Sequence, residues 1–206
     1  MIAIINYGVG NLYSISKAFE LLGADVKVTD KISTIRSASA LILPGVGEFS
    51  SAMKNLSRSK TKDVIIDSVN NNKPLLGICL GMQMLFSESE EGNCKGLNLI
   101  KGKVVRFRKV KKIPHMGWNE VFFQKNFVLS KGMKNPSWMY FANSYYPKPD
   151  DKAVIAGKTK YENIEFCSIV QKGNIFGAQF HPEKSGDEGL KLLKNFVAHA
   201  KHGNTD

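Results

Sequence analysis

The sequence predicts an α/β fold: a central, mostly parallel sheet flanked by helices, with a β-rich C-terminal half. Three observations predict it. Short apolar runs at residues 2–6, 40–43 and 75–78 alternate with stretches of helical spacing, the pattern of successive βαβ units. Beyond about residue 100 the texture changes to strand-like segments joined by short Gly or Asn turns. No repeat, linker or low-complexity tract parts the two halves, so residues 1–206 are expected to form one domain.

Residues 2–6 read as a buried strand because their apolar run is unbroken. Gly8-Val9-Gly10 ends it, and Leu12, Ile15, Ala18, Phe19 and Leu22 then mark a helix. A second strand is expected at 25–29, where Val26 and Val28 alternate with polar residues. Gly8, Gly10 and Asp30 match part of a dinucleotide-binding fingerprint, but Tyr13 stands where its third glycine belongs, and a two-thirds match is weak. Residues 40–43 form the third strand and lead into Pro44-Gly45-Val46-Gly47. Helical segments follow at 49–56 and 64–69, separated by the basic run Arg58-Ser59-Lys60-Thr61-Lys62. Pro74 opens the strand 75–78, after which Met82, Met84, Leu85 and Phe86 return to helical spacing. Residues 87–93 read as acidic and turn-like. Strands are then expected at 104–107, 120–123, 138–142, 153–157, 165–170 and 176–180, with Lys172-Gly173-Asn174 as a hairpin turn. An amphipathic helix over 190–198 closes the pattern.

At 206 residues and 43% hydrophobic content, the chain can bury a substantial core. No stretch is long and apolar enough for a membrane span, and the first residues run straight into a strand, so neither membrane nor signal peptide is expected. Three cysteines (Cys79, Cys94, Cys167), odd in number and without metal spacing, suit a reducing cytoplasm. The net charge of +11 raises nucleic acid as a partner, but the basic residues are not interleaved with aromatics in any nucleic-acid module. Docking to an acidic partner, or solubility, accounts for the charge at least as well. The strongest basic run, Arg106 to Lys112, reads as a solvated hairpin face. His199 and His202 lie one helical turn apart without a third ligand, so neither metal nor cofactor is expected.

Chemistry concentrates at Gly77-Ile78-Cys79-Leu80-Gly81. A cysteine between glycines on a strand–turn–helix is the thiol form of a nucleophile elbow. A sharp turn would hold Cys79 in a strained conformation, and the flanking glycines would leave room for the nucleophile and its substrate. The positive end of the following helix would favour a thiolate, and the Leu80 N–H would point where an oxyanion forms. A thiol nucleophile needs a base, and the base needs an anchor. The strand 176–180 delivers His181 at its end, Pro182 stops the ladder, and Glu183 follows close enough to orient the imidazole.

Gly77-Ile78-Cys79-Leu80-Gly81 together with His181-Pro182-Glu183 resembles the class I (triad) glutamine amidotransferases. The resemblance runs through Asn6 to Leu12, Pro44 to Phe49 and Pro114 to Asn119, and covers nearly the whole chain. It implies catalysis by Cys79, His181 and Glu183, hydrolysis of L-glutamine, and an oxyanion hole completed by the Val46 N–H beside that of Leu80. It also implies glutamine contacts from Gly47, Gln83, Ser144 and Tyr145. Many relatives carry His where this chain has Asn143. The ammonia released implies a (β/α)8-barrel synthase subunit as partner in a heterodimer, with Asn11, Trp118 and Lys184 near the interface. A paralogous subunit serving a different synthase, or a binding module that has lost turnover, remain the alternatives at this point. His115 reads as structural.

Overall fold

The computed structural model describes residues 1–202. In chain order its strands are β1 (Ile2–Ile5), β2 (Val26–Thr29), β3 (Ala40–Leu43), β4 (Leu75–Ile78), β5 (Phe86–Ser89), β6 (Cys94–Lys95) and β7 (Ile100–Arg106). They continue as β8 (His115–Phe123), β9 (Ser137–Asn143), β10 (Tyr145–Pro149), β11 (Ile155–Tyr161), β12 (Ile164–Lys172) and β13 (Ile175–Ala178). The helices are α1 (Leu12–Leu21), α2 (Ile32–Ser37), α3 (Phe49–Arg58), α4 (Thr61–Asn70), α5 (Leu80–Met84) and α6 (Gly186–His202).

Nine strands form one sheet in the order β2-β1-β3-β4-β13-β12-β11-β8-β9. The first five run parallel, and the remaining four are added antiparallel, so the sheet is parallel only in the half that carries the βαβ units. A second sheet, β10-β7-β5-β6, flanks it.

The apolar runs of β1, β3 and β4 are buried on both faces, which is why they do not alternate with polar residues. Ile2 and Ile4, Ala40 and Ile42, and Leu76 and Ile78 face a core closed by Ile15 and Phe19 of α1 and by Leu192 and Phe196 of α6. Ala3 and Ile5, Leu41 and Leu43, and Leu75 face the opposite core, closed by Ile35 of α2, Phe49 and Met53 of α3, Val64 and Ile65 of α4, and Met82 of α5. Successive strand residues point to opposite faces, so one short run feeds two cores.

Several expected boundaries move. The elbow helix stops at Met84, and Phe86 opens β5. Residues 87–93, expected to be a turn, instead begin as β5, whose parallel pairing with β7 no local pattern of Ser and Glu could signal. The α2 helix was not expected, since its six residues bury only Ile35. Strands β6 and β10 exist through pairing in the second sheet. The hairpin at Lys172-Gly173-Asn174 is present, with Lys172 opposite Ile175 and Gly173 at φ +55°. The α6 helix starts earlier than its apolar pattern, and Asp187 and Glu188 in its first turn favour that start. His199 Nε2 donates to Asn174 Oδ1 at 2.9 Å, while the side chain of His202 lies outside the described residues.

His115 is structural. Its ring stacks on Phe141 (centroids 4.7 Å apart) and Tyr161 (4.1 Å) and is only 3% exposed. Burial pushes it down to about 4, so it is neutral near pH 7. The unfolded chain takes up this proton at about 6.5. The stabilisation from a neutral His115 is therefore complete above that pH and is lost as pH falls toward 4. Urea unfolding at pH 7 and pH 4.5 should show a fall in stability of about 1–3 kcal/mol that His115→Phe largely removes. Equal acid losses in both proteins would refute this account.

Candidate active site

The C-terminal ends of the parallel strands β3, β4 and β13 converge on Cys79. Its backbone N–H donates to Ala178 O at 2.7 Å, tying the end of β4 to that of β13. Cys79 sits at φ 53°, ψ −110°, a conformation costing a residue with a side chain on the order of 1–3 kcal/mol. The turn expected from the glycines is thus present, but the glycines themselves act differently. A Cβ on Gly81 would lie 1.8 Å from Leu43 O, and one on Gly77 would lie 2.8 Å from the Gly81 carbonyl. They let the elbow close onto β3 and β4 rather than clear space in front of the sulfur. The α5 helix has only five residues, so the dipole assistance expected at its start is smaller than a long helix would provide.

His181 follows β13. Its N–H donates to Tyr140 O at 2.9 Å and its carbonyl accepts from Ser185 Oγ at 2.6 Å, which fixes the backbone beneath the ring. Nδ1 lies 2.9 Å from Glu183 Oε1, and the Glu183 side chain has no exposed surface. Burial opposes charge on the imidazole. Its hydrogen bonds to the Cys79 sulfur and the Glu183 carboxylate, and the charge of each, outweigh that and hold the ring well above the usual histidine range. With Nδ1 committed to Glu183, Nε2 is left for the sulfur. The arrangement can take a proton from a thiol and return it to a leaving group. On this geometry Glu183→Gln should retain more glutamine-dependent activity than His181→Ala, because the carboxylate orients the ring while the ring moves the proton. Steady-state kinetics in the reverse order would reassign the two roles.

These groups open into a small pocket of about 290 Å³. Val46, Gly47, Cys79, Leu80, Gln83, Ser144, Tyr145, His181 and Lys184 line it, so nine residues singled out from the sequence meet there, with Glu183 behind His181. Leu80 is the first residue of α5, and its N–H is not used within the helix. The Pro44–Gly47 loop is seated by Tyr7, whose hydroxyl donates to Pro44 O at 2.6 Å. Burial, then the nearby Cys79, raises the Tyr7 hydroxyl, keeping it protonated as a donor. Gly47 takes φ +93°, whereas Val46 is not among the residues with positive φ.

Gln83 is more constrained than expected. Its Nε2 donates to both Tyr145 O and Gln179 Oε1, each at 3.0 Å, so only its oxygen can meet a ligand. That suits an ammonium and not a carboxylate. Asn143 also lines the pocket, and its Nδ2 donates to Tyr145 O at 2.9 Å. Neither Asn11 nor Trp118 reaches the pocket. Asn11 caps α1, its side chain accepting from Ser14 N at 3.4 Å. Trp118 is 52% exposed on β8 and packs edge-on to Tyr140, over whose ring Lys184 Nζ lies at 6.0 Å.

Two residues of the site carry no signal in the sequence. Glu91 reaches the pocket from the short connection after β5, where it read as part of an acidic turn. Gln179 is fully buried between Cys79 and Gln83. It lies just before His181, and the strand pattern alone cannot tell a packed glutamine from one held at a site.

The family model for class-I glutamine amidotransferases matches residues 3–200, a span that holds the elbow at Cys79 as well as His181 and Glu183. The chain belongs to this family of enzymes. Among curated proteins it is 50% identical to the imidazole glycerol phosphate synthase subunit HisH of Methanocaldococcus jannaschii, over 96% of this chain and 98% of that one. It is 48% identical to the same subunit of Moorella thermoacetica (98% and 96%) and to that of Pyrococcus furiosus (95% and 97%). A crystal structure of a glutamine amidotransferase superposes with a TM-score of 0.78 at 19% identity, over 98% of this chain and all of that one. PurLQS from Thermotoga maritima gives 0.76 at 18% identity, over 96% and 97%. These two likenesses concern the fold.

Proposed function

We propose that this chain is the glutaminase subunit of an imidazole glycerol phosphate synthase, acting in histidine biosynthesis. The observation that carries the reading is near-half identity, end to end, with proteins named as that subunit. The pocket built around Cys79, His181 and Glu183 supports it chemically.

In this reading, Cys79 Sγ attacks the side-chain carboxamide carbon of L-glutamine. The resulting oxyanion is held by the Leu80 N–H and, when its peptide turns inward, by the Val46 N–H. His181 protonates the departing nitrogen, ammonia leaves, and a thioester remains on Cys79. His181 then takes a proton from water, which attacks the thioester and releases glutamate. Glu183 holds the ring with Nδ1 protonated throughout. The Gln83 oxygen and the Glu91 carboxylate receive the substrate's α-ammonium, with Gly47, Ser144 and Tyr145 completing the pocket.

Ammonia must leave uncharged and shielded from water, which calls for a docked acceptor enzyme. We assign that role to a HisF-type (β/α)8-barrel subunit in a heterodimer, whose acceptor is a phosphoribulosyl-formimino carboxamide nucleotide. Met116 and Trp118 of β8 and Trp138 of β9 are each more than half exposed, and the register Trp118↔Tyr140 puts them on one face beside the site. Such a patch supports a docking surface. Lys184, whose Nζ lies over the Tyr140 ring, adjoins it, and we assign Asn11 to the same interface on the family resemblance alone. We place the chain in the cytoplasm as one domain over 1–206; among the described residues, no helix is long and apolar enough to cross a membrane.

The test is reconstitution. Mixed with a HisF-type subunit and its acceptor, the chain should form a complex and make imidazole glycerol phosphate from glutamine. Hydrolysis of glutamine only with some other synthase would transfer the chain to that enzyme.

A further inference from the structure

Gln179 is a buried polar side chain of the site that the mechanism above leaves idle. Its orientation follows from a carbonyl. The Tyr145 carbonyl can only accept, so the Gln83 nitrogen faces it at 3.0 Å. The second proton of that nitrogen goes to Gln179 at 3.0 Å, and Gln179 must therefore present its oxygen there. Its own nitrogen is left against Cys79 Sγ at 3.8 Å. Gln83 is 4% exposed and Gln179 not at all, so water does not compete for these bonds.

We infer that Gln179 is a positioning residue for the nucleophile: it donates an N–H to the Cys79 sulfur and, through its oxygen, ties that sulfur to the Gln83 amide at the substrate end of the pocket. The inference rests on Cys79 being the nucleophile and Gln83 facing glutamine. An N–H donor strengthens its bond as negative charge gathers on sulfur, and so favours the reactive thiolate over the thiol. The five-residue α5 supplies little of that help, which leaves Gln179 and His181 as its sources. The other ionisable groups about the sulfur are Glu183 behind His181, Tyr7 beside the Pro44 carbonyl, and Glu91 and Lys184 on the pocket wall. None of these takes the place of a neutral donor fixed on the β13 side.

The test follows alkylation of Cys79 by iodoacetamide against pH, read by mass spectrometry on the full chain. In Gln179→Met the pH of half-maximal alkylation should rise by about one unit, making the reaction near pH 7 about tenfold slower. Gln179→Glu should shift it further, since a carboxylate cannot donate and adds like charge. With the partner present, kcat should fall about 10- to 100-fold, and KM should rise because Gln83 loses its restraint. Profiles unchanged in both variants would overturn the inference. The wild-type protein gives a second readout that needs no substitution at Gln179. Its 15N side-chain amide resonance should titrate with the alkylation midpoint and stop doing so in Cys79→Ala, and a resonance that stays flat in the wild type also overturns the inference. Glutaminase activity surviving in Cys79→Ala would instead sink the nucleophile assignment, leaving the alkylation profiles to report the hydrogen bond alone.

Discussion

Replacing Cys79 by alanine or serine is expected to lower glutamine-dependent synthesis by ~10^4-fold or more, because nucleophile and base act as a unit. The same complex supplied with ammonium salts should keep its synthetic rate, since on the proposed reading the acceptor chemistry belongs to the partner. The contrast identifies the lesion: a misfolded subunit would fail to bind the partner, whereas a missing sulfur abolishes only hydrolysis. Cys79 also holds a strained backbone at φ 53°. The substitution keeps the fold because Gly77 and Gly81, whose positions admit no Cβ, still close the elbow. A Cys79→Ala complex with an undiminished glutamine-dependent rate would exclude the proposed mechanism.

The isolated chain is expected to bind glutamine but hydrolyse it slowly, and docking of the acceptor-loaded partner should raise kcat by at least ~10²-fold, the worth of one oxyanion donor. The reason lies in the Pro44–Gly47 loop. Gly47 carries a positive φ, while the β-branched Val46 does not. Turning the Val46 N–H into the site would ask a β-branched residue to accept strain. The loop is also clamped: Tyr7 holds the Pro44 carbonyl, and Gly45 packs so closely that a Cβ would come within 2.7 Å of Gly81 N. A local peptide turn, rather than a swing of the whole loop, is therefore the motion available, and on the proposed reading the docked partner stabilises it. Glutaminase rates measured with and without partner decide the matter. Equal rates would mean a preformed oxyanion hole.

The exposed sheet face that would deliver this signal was legible only as scattered residues. Met116, Trp118 and Trp138 are ordinary apolar positions along β8 and β9 until the antiparallel register sets them side by side. The same holds for Glu91. Its acidic neighbourhood suggested a solvated turn, and only the pairing of β5 with β7 carries it to the pocket.

From the residues alone came the βαβ half, the strand-rich half, and the nucleophile elbow. The first and the last rest on local chemistry: apolar runs buried on both faces, and glycines about a cysteine. The strand expected to run to 180 and stop at Pro182, by contrast, ends already at Ala178, where its pairing with β4 and β12 gives out. Cys79, His181 and Glu183 could be singled out as the proposed triad because the chemistry asked of each is carried by its own side chain. What tertiary contact decided was which atoms of those side chains remain free. Gln83 was expected simply as a glutamine contact, with both ends of its amide open, until two carbonyl oxygens from distant segments took both its protons. The glycines around Cys79 appeared to make room for substrate, until the approach of β3 showed that they make room for the backbone. Hydrogen-bond donors are consumed by partners far away in the chain, and close packing is set by the neighbouring strand. Neither leaves a trace in the local pattern of residues.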